Sequence, residues 1–388
     1  MQSPRRSPAI VLAPDKFRGS LAAPAACASM ARGLRRALPD AEVRSCPLAD
    51  GGEGTLDALL VGLGSRGHRH FRTVSGAGGK PTEVAYGIVD SPEGPTAIVE
   101  VALVVGIADP VAMEVPVALR TTRGIGEWLR ALLDDGVRRF LVALGGSSTC
   151  DGGAGMLEAL GMRLLDSRGA TISPWPRALG EIERVDAAGL HPRLAECELT
   201  LLSDVDNPLS GPRGAIATFG PQKGVSGDDL ATFDAALSRF AERVESALGR
   251  RVAASPGAGA AGGLGFALQA LGGTSRSGAE FVADRVGLDA ALRGADWLLT
   301  GEGRSDTQTL AGKAPLVAAR RARAAGVPAT LLSGALAVDA LPELAPHFAG
   351  CFAIAAGPTS VAASIADAGA LLADRTEQLA RLWAAART

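Results

Sequence analysis

Short apolar runs separated by glycine-rich turns recur along this chain and alternate with stretches of helical spacing. Ile10-Val11-Leu12-Ala13 has the length of a buried strand, and between residues 21 and 38 Ala26, Met30, Gly33, Leu34 and Ala37 mark one helix face. Pro24 limits where that helix becomes regular, and Ser20 stands where an N-cap is expected. Residues 41–46 predict a second strand, and the turn Asp50-Gly51-Gly52-Glu53-Gly54 leads into an apolar helix over 55–63. The middle repeats this grammar, with an amphipathic helix over 122–135, a strand over 139–144 and a glycine-rich turn over 145–155 that opens a helix. A strand over 199–202 ends at Ser203-Asp204-Val205-Asp206-Asn207-Pro208; residues 257–265 read as the loosest segment, ahead of a helical run over 266–271. Near the end, a strand over 296–300 feeds a loop Gly301-Glu302-Gly303-Arg304, and 328–333 and 351–355 are further strands. Such alternation predicts an α/β protein with mostly parallel sheets covered on both faces.

A chain of 388 residues with 47% hydrophobic content points to two or three folded units. No repeat of fixed period is visible. The first and last segments offer strand–loop–helix units of similar style, which predicts a discontinuous domain of 1–75 plus 285–388 around an inserted domain of 76–284.

Charge narrows the function. With 39 basic and 41 acidic residues intermixed and a net charge of −2, no basic stripe suggests nucleic acid or anionic lipid. Only four of the basic residues are lysines, Lys16, Lys80, Lys223 and Lys313, and each reads as part of a loop where an ammonium could meet phosphate beside backbone N–H groups. The five cysteines form no C-x-x-C pair and fit a reducing cytosol. After Arg5 and Arg6 the apolar run is too short for a signal peptide core, and the uncharged stretch 252–275 is broken by Pro256 and glycines, so it reads as a loop and a buried helix rather than a membrane span. His68, His70, His191 and His347 lack metal-binding spacing and read as structural or surface residues in loops.

Four segments at predicted strand ends combine glycine with acid: 50–54, 151–153, 204–207 and 301–306. In open α/β sheets ligands bind outside the carboxyl ends of the strands. Glycines there let backbone N–H groups approach phosphate oxygens, while carboxylates hold Mg²⁺ or accept a proton from a substrate hydroxyl. Gly145-Gly146-Ser147-Ser148-Thr149 is the best isolated phosphate cradle, with three hydroxyls and two flexible amides between a strand and a helix. No Walker-type G-x-x-x-x-G-K-[ST] exists, and the G-x-G-x-x-G at Gly257, Gly259 and Gly262 follows too poor a strand to be a dinucleotide site. A G-x-S-x-G elbow is also lacking. The residues alone therefore reach a metal-assisted phosphoryl transferase.

The chain also resembles the bacterial glycerate kinases. The likeness rests on Ala13-Pro14-Asp15-Lys16-Phe17-Arg18-Gly19-Ser20-Leu21, the segments 47–55 and 145–155, Asp204-Val205-Asp206-Asn207-Pro208-Leu209, Gly220-Pro221-Gln222-Lys223-Gly224, and 301–315, all in order. Lys16 and Arg18 stand where family members often carry serine and lysine, and Cys150 where asparagine is common. The resemblance implies ATP, Mg²⁺ and glycerate, and two α/β domains, one flavodoxin/Rossmann-like and one inserted and restriction-enzyme-like, with the active site in the cleft between them. It implies the 2-position of D-glycerate in preference to the 3-position. On this footing Lys16, Arg18 and Arg304 meet the phosphates or the glycerate carboxylate. Asp15, Ser20, Asn207, Lys223, Lys313 and the loop Gly145, Gly146, Ser147, Ser148, Thr149 line substrate or phosphate. Asp204 or Asp206 takes the hydroxyl proton, and Asp50, Glu53, Glu302 and Asp306 hold metal or position groups. A kinase for another small hydroxy acid, or a non-catalytic nucleotide sensor on the same fold, remains a rival, and homo-oligomerisation is compatible with the sequence.

Overall fold

The computed structural model describes residues 6–387; residues 1–5, including Arg5, and Thr388 lie outside it. Its strands are Ala9–Leu12 (β1), Glu42–Ser45 (β2), Gly67–Ser75 (β3), Pro81–Val89 (β4), Thr96–Glu100 (β5), Arg139–Ala143 (β6) and Arg163–Leu165 (β7). They continue with Arg184–Asp186 (β8), Glu198–Leu202 (β9), Thr274–Arg276 (β10), Trp297–Ser305 (β11), Ala329–Leu336 (β12) and Gly350–Ala353 (β13). The chain divides into two compact units. One takes the chain up to Asp50, then Asp57–Gly64, then Ala279 onward; the other takes Gly51–Leu56 and Ser65–Gly278.

The first unit holds a five-stranded sheet in the order β13-β12-β11-β1-β2, with every neighbouring pair parallel. All of β1 is buried, as the unbroken apolar run requires of a strand covered on both faces. The helix Ala23–Ala37 turns Ala26, Met30 and Leu34 into a core with Ile10, Leu12, Leu299, Leu332 and Leu372. Its start corrects the expected cap. Pro24 sits in the first turn, Ala22 is the N-cap without a side-chain bond, and Ser20 Oγ donates instead to Phe17 O at 2.9 Å.

The second unit is built on a six-stranded sheet ordered β10-β9-β6-β5-β4-β3. The run β10-β9-β6-β5 is parallel, and β4 and β3 are antiparallel additions. Its core gathers Trp128, Phe140, Val142, Met156, Leu201, Phe240 and Phe266.

Three further expectations need correcting. Gly301-Glu302-Gly303-Arg304 is not a loop, because β11 continues through it and pairs with β12 as far as Ser305. A Cβ on Gly301 would come within 2.0 Å of Leu332 O, so this strand packs as it does only because the side chain is missing. Residues 257–265 are not loose either: Gly257–Ala260 are buried, and Gly259 N donates to Asn207 O at 2.9 Å. His68 and His70 lie on β3 rather than in loops. No described helix is long and apolar enough to cross a membrane.

Candidate active site

In the first unit, the residues following β1 and β2 meet the C-terminal half of β11 toward the carboxyl edge of the parallel sheet, the edge where such sheets place ligands. Asp15 N donates to Gly301 O at 2.8 Å, which fixes the segment after β1 against β11. Asp15 is buried, and its Oδ1 accepts from Lys16 N at 2.6 Å. Lys16 Nζ lies 3.9 Å from Asp50, which follows β2. Glu302 is buried as well, and its Oε1 accepts from Ser305 Oγ at 2.9 Å and Thr309 Oγ1 at 2.7 Å, while Ser305 Oγ meets Ser333 Oγ at 2.6 Å. Lys313, at the N-cap of the helix Ala314–Ala324, faces this acid through space.

Burial dominates the electrostatics here. It pushes the Asp15 carboxyl up to about 7; the Lys16 charge opposes the rise, and Asp50 and Glu302 add to it. Glu302 is raised for the same reason, with Thr309, Lys313 and Ser305 pulling it back. A carboxyl whose folded pKa lies above its unfolded value favours the fold below the unfolded value, and this contribution is lost as pH rises through the folded one. For Asp15 that window runs from 3.8 to about 7. Asp15→Asn keeps an acceptor for Lys16 N but cannot ionise. Melting curves at about pH 5 and about pH 8 are therefore expected to show a smaller fall in Tm for the variant than for the wild type; equal falls would remove Asp15 as the source.

Arg18 is exposed, and Arg304, with a side chain 69% exposed, has Nε 3.6 Å from Asp306. Asp306 caps the turn Thr307–Ala311 in a reciprocal pair with Thr309. No three described His, Cys, Asp or Glu side chains gather closely enough to hold a metal by themselves. Mg²⁺ is commonly bound by one or two carboxylates together with substrate phosphates, so Asp50 and Glu302 fit a cation that arrives with a nucleotide.

The second unit places the remaining expected residues. Gly145 N donates to Gly51 O at 2.9 Å and Ile107 N to Gly146 O at 2.8 Å, which pins the 145–149 loop on both sides. Ser148 and Thr149 are fully buried and Ser147 is 5% exposed, so the picture of three available hydroxyls is corrected: Ser148 Oγ donates to Val105 O at 2.9 Å, and the next helix starts only at Ala154. Lys223 is not in a loop. It ends the helix Ala215–Lys223, buried, because its ammonium turns inward onto Ser147 and Thr149. Asp204 Oδ1 accepts from Gly278 N at 2.9 Å. Exposed Asp206 pairs with Arg213 through both oxygens at 3.2 and 3.3 Å, and Asn207 Nδ2 donates to Arg213 O and Thr218 Oγ1. Glu53 is exposed in its turn, and Lys80 is exposed between β3 and β4.

One acid that matters to this geometry escapes the sequence reading. Glu100, 2% exposed at the end of β5, accepts from Gly54 N at 3.0 Å and Leu56 N at 3.1 Å and so holds the acidic glycine turn. An acid ending the apolar run Ala97-Ile98-Val99 is the signal that could have found it. Asp151 is fully buried and accepts from Thr122 N, Thr122 Oγ1 and Gly153 N, which makes it an anchor of the backbone.

Residues 10–384 match the sequence model of the glycerate kinase family. Glycerate kinase of Bacillus subtilis strain 168 is 41% identical over 332 residues, 85% of this chain and 86% of the relative. Glycerate 2-kinase of Escherichia coli strain K12 is 38% identical over 331 residues, with 85% and 86% covered. A crystal structure from Salmonella typhimurium LT2, of a protein assigned as glycerate kinase 2, aligns with a TM-score of 0.81 at 34% identity over 98% of this chain and 100% of that one.

Proposed function

The chain belongs to the glycerate kinase family and is a kinase, and on that premise we propose that it transfers the γ-phosphoryl group of ATP to D-glycerate, giving 2-phosphoglycerate in preference to 3-phosphoglycerate. The observation that carries this reading is the gathering of Asp15, Lys16, Asp50, Glu302 and Lys313 on the carboxyl edge of a fully parallel sheet. The preference for the 2-position follows the name of the Escherichia coli relative.

Phosphoryl transfer asks a protein chiefly for positioning and charge neutralisation. Lys16, Arg18 and Arg304 supply positive charge to phosphate or to the glycerate carboxylate, and Lys313 and the Gly145–Thr149 loop serve phosphate. Asp50, Glu53, Glu302 and Asp306 position groups or hold the Mg²⁺ that accompanies ATP and neutralises its phosphates. Between the two candidate bases, the geometry favours Asp204. Arg213 holds both oxygens of Asp206, which leaves that carboxylate less free to turn toward a substrate hydroxyl. Asp204→Asn is expected to lower kcat by about 10² to 10⁴ with ATP affinity nearly unchanged, and Asp206→Asn to stay within a few-fold of wild type. Steady-state kinetics of both variants check this, and wild-type turnover in both would remove them from the base role. The cysteines, all free, suit a cytoplasmic enzyme. Consumption of ATP that depends on added glycerate is the direct test of the whole reading.

A further inference from the structure

Two buried cations lie behind the Gly145–Thr149 loop. Lys223 is 3% exposed, and its Nζ donates to Ser147 Oγ at 3.0 Å and to Thr149 O at 2.9 Å. Arg120 is also 3% exposed; its Nη1 donates to Lys223 O at 2.8 Å and Ser148 O at 3.2 Å, its Nε to Val115 O at 2.7 Å and its Nη2 to Met113 O at 3.2 Å. All of these acceptors are neutral, and among the described residues neither cation has an ion pair. Buried charges are ordinarily paired with an opposite charge. Asp151, the carboxylate that acts on Lys223 through space, is committed to Thr122 and Gly153 at 2.7 to 3.1 Å.

An ammonium has donors only, so Ser147 Oγ accepts from Lys223 and must turn its own hydrogen elsewhere. Thr149 Oγ1 of the same loop is wholly buried without a hydrogen-bond partner. We propose that this loop is an oxyanion subsite in which the Ser147 hydroxyl donates to a carboxylate or phosphate oxygen, with Lys223 and Arg120 as positioning residues that orient that hydroxyl and supply the charge. The subsite deepens the kinase reading and rests on it for its two candidate sources, the glycerate carboxylate and an ATP phosphate.

Calorimetric titration of the full chain with ATP and, separately, with D-glycerate tests the proposal in wild type, Ser147→Ala, Ser147→Thr, Lys223→Met and the Ser147→Ala/Lys223→Met double variant. Ser147→Ala is expected to weaken one of the two ligands about 10- to 100-fold, as the loss of a hydrogen bond to a charged group does, and to melt near the wild-type temperature. The ligand affected identifies the source. Ser147→Thr is expected to recover most of the loss. Because Lys223 acts through Ser147, the double variant is expected to lose about as much as the worse single variant. Affinities of Ser147→Ala within about two-fold of wild type for both ligands overturn the subsite, as does a wild type that binds neither anion; fully additive losses overturn the positioning role. If Lys223→Met fails to fold, the two Ser147 variants still decide. A wild type that binds ATP but never phosphorylates glycerate defeats the kinase reading while the ATP titration still reports on the loop.

Discussion

Gly262→Ala is expected to lower Tm by roughly 10 °C and to abolish most activity. Gly262 has φ +66°, and a Cβ there would sit 1.9 Å from Thr149 O and 2.9 Å from Thr149 C. The substitution is therefore strained twice, once by a left-handed backbone and once by collision with a carbonyl that cannot swing aside. That carbonyl is also one of the two acceptors of Lys223, and Gly152 N donates to Gly262 O at 3.0 Å, so relief of the clash displaces the loop that carries Ser147. Gly227→Ala is the matched control: nothing lies within 4 Å of its Cβ position and its φ is not positive, so its Tm is expected to stay close to wild type. Thermal unfolding of both variants checks the pair. A Gly262→Ala protein as stable as the control would show that the loop does not depend on this close approach.

Lys16→Met is expected to reduce kcat by about 10² to 10³ with a smaller change in the KM for ATP, because the role proposed for its charge is to meet phosphate as negative charge develops there. The side chain sits between two acids. It lies 3.9 Å from Asp50, and its charge is the strongest influence holding Asp15 down against the effect of burial. Removing it takes away the main charge that opposes burial at Asp15, so the Asp15 carboxyl is expected to rise further above about 7. A Lys16→Met enzyme with wild-type kcat would place the phosphate-directed charge elsewhere, with Lys313 or Arg304 the first to examine.

The pattern of apolar positions exposes those parts of the fold whose burial is simple. The helix expected over 55–63 is Thr55–Leu63, and the run that predicts β1 is buried at every position. The pattern predicts none of β3, β4 or β5. In β3 the stretch His68-Arg69-His70-Phe71 is exposed, so the strand exists by pairing with β4 rather than by burying a face, and hydropathy has nothing to detect. In the site, acids and glycines mark the right segments, yet spacing cannot separate a carboxylate that caps a turn, such as Asp306, from one buried beside another acid, such as Asp15. Lys223 reads as a loop lysine because glycine follows it; only the tertiary fold turns its ammonium into the interior. Arg120 gives no local signal at all, since its four backbone acceptors come from residues as far apart as Met113 and Lys223.

The central claim is ATP-dependent phosphorylation of glycerate, and one measurement tests it most directly: ADP formation by the purified chain with Mg²⁺ and ATP, with and without D-glycerate, followed by phosphorus NMR of the product. ADP is expected to appear only when glycerate is present, in equal amount to a new phosphate ester whose resonance is that of 2-phosphoglycerate. ADP release that is indifferent to glycerate, or that another small hydroxy acid supports better, would contradict the account.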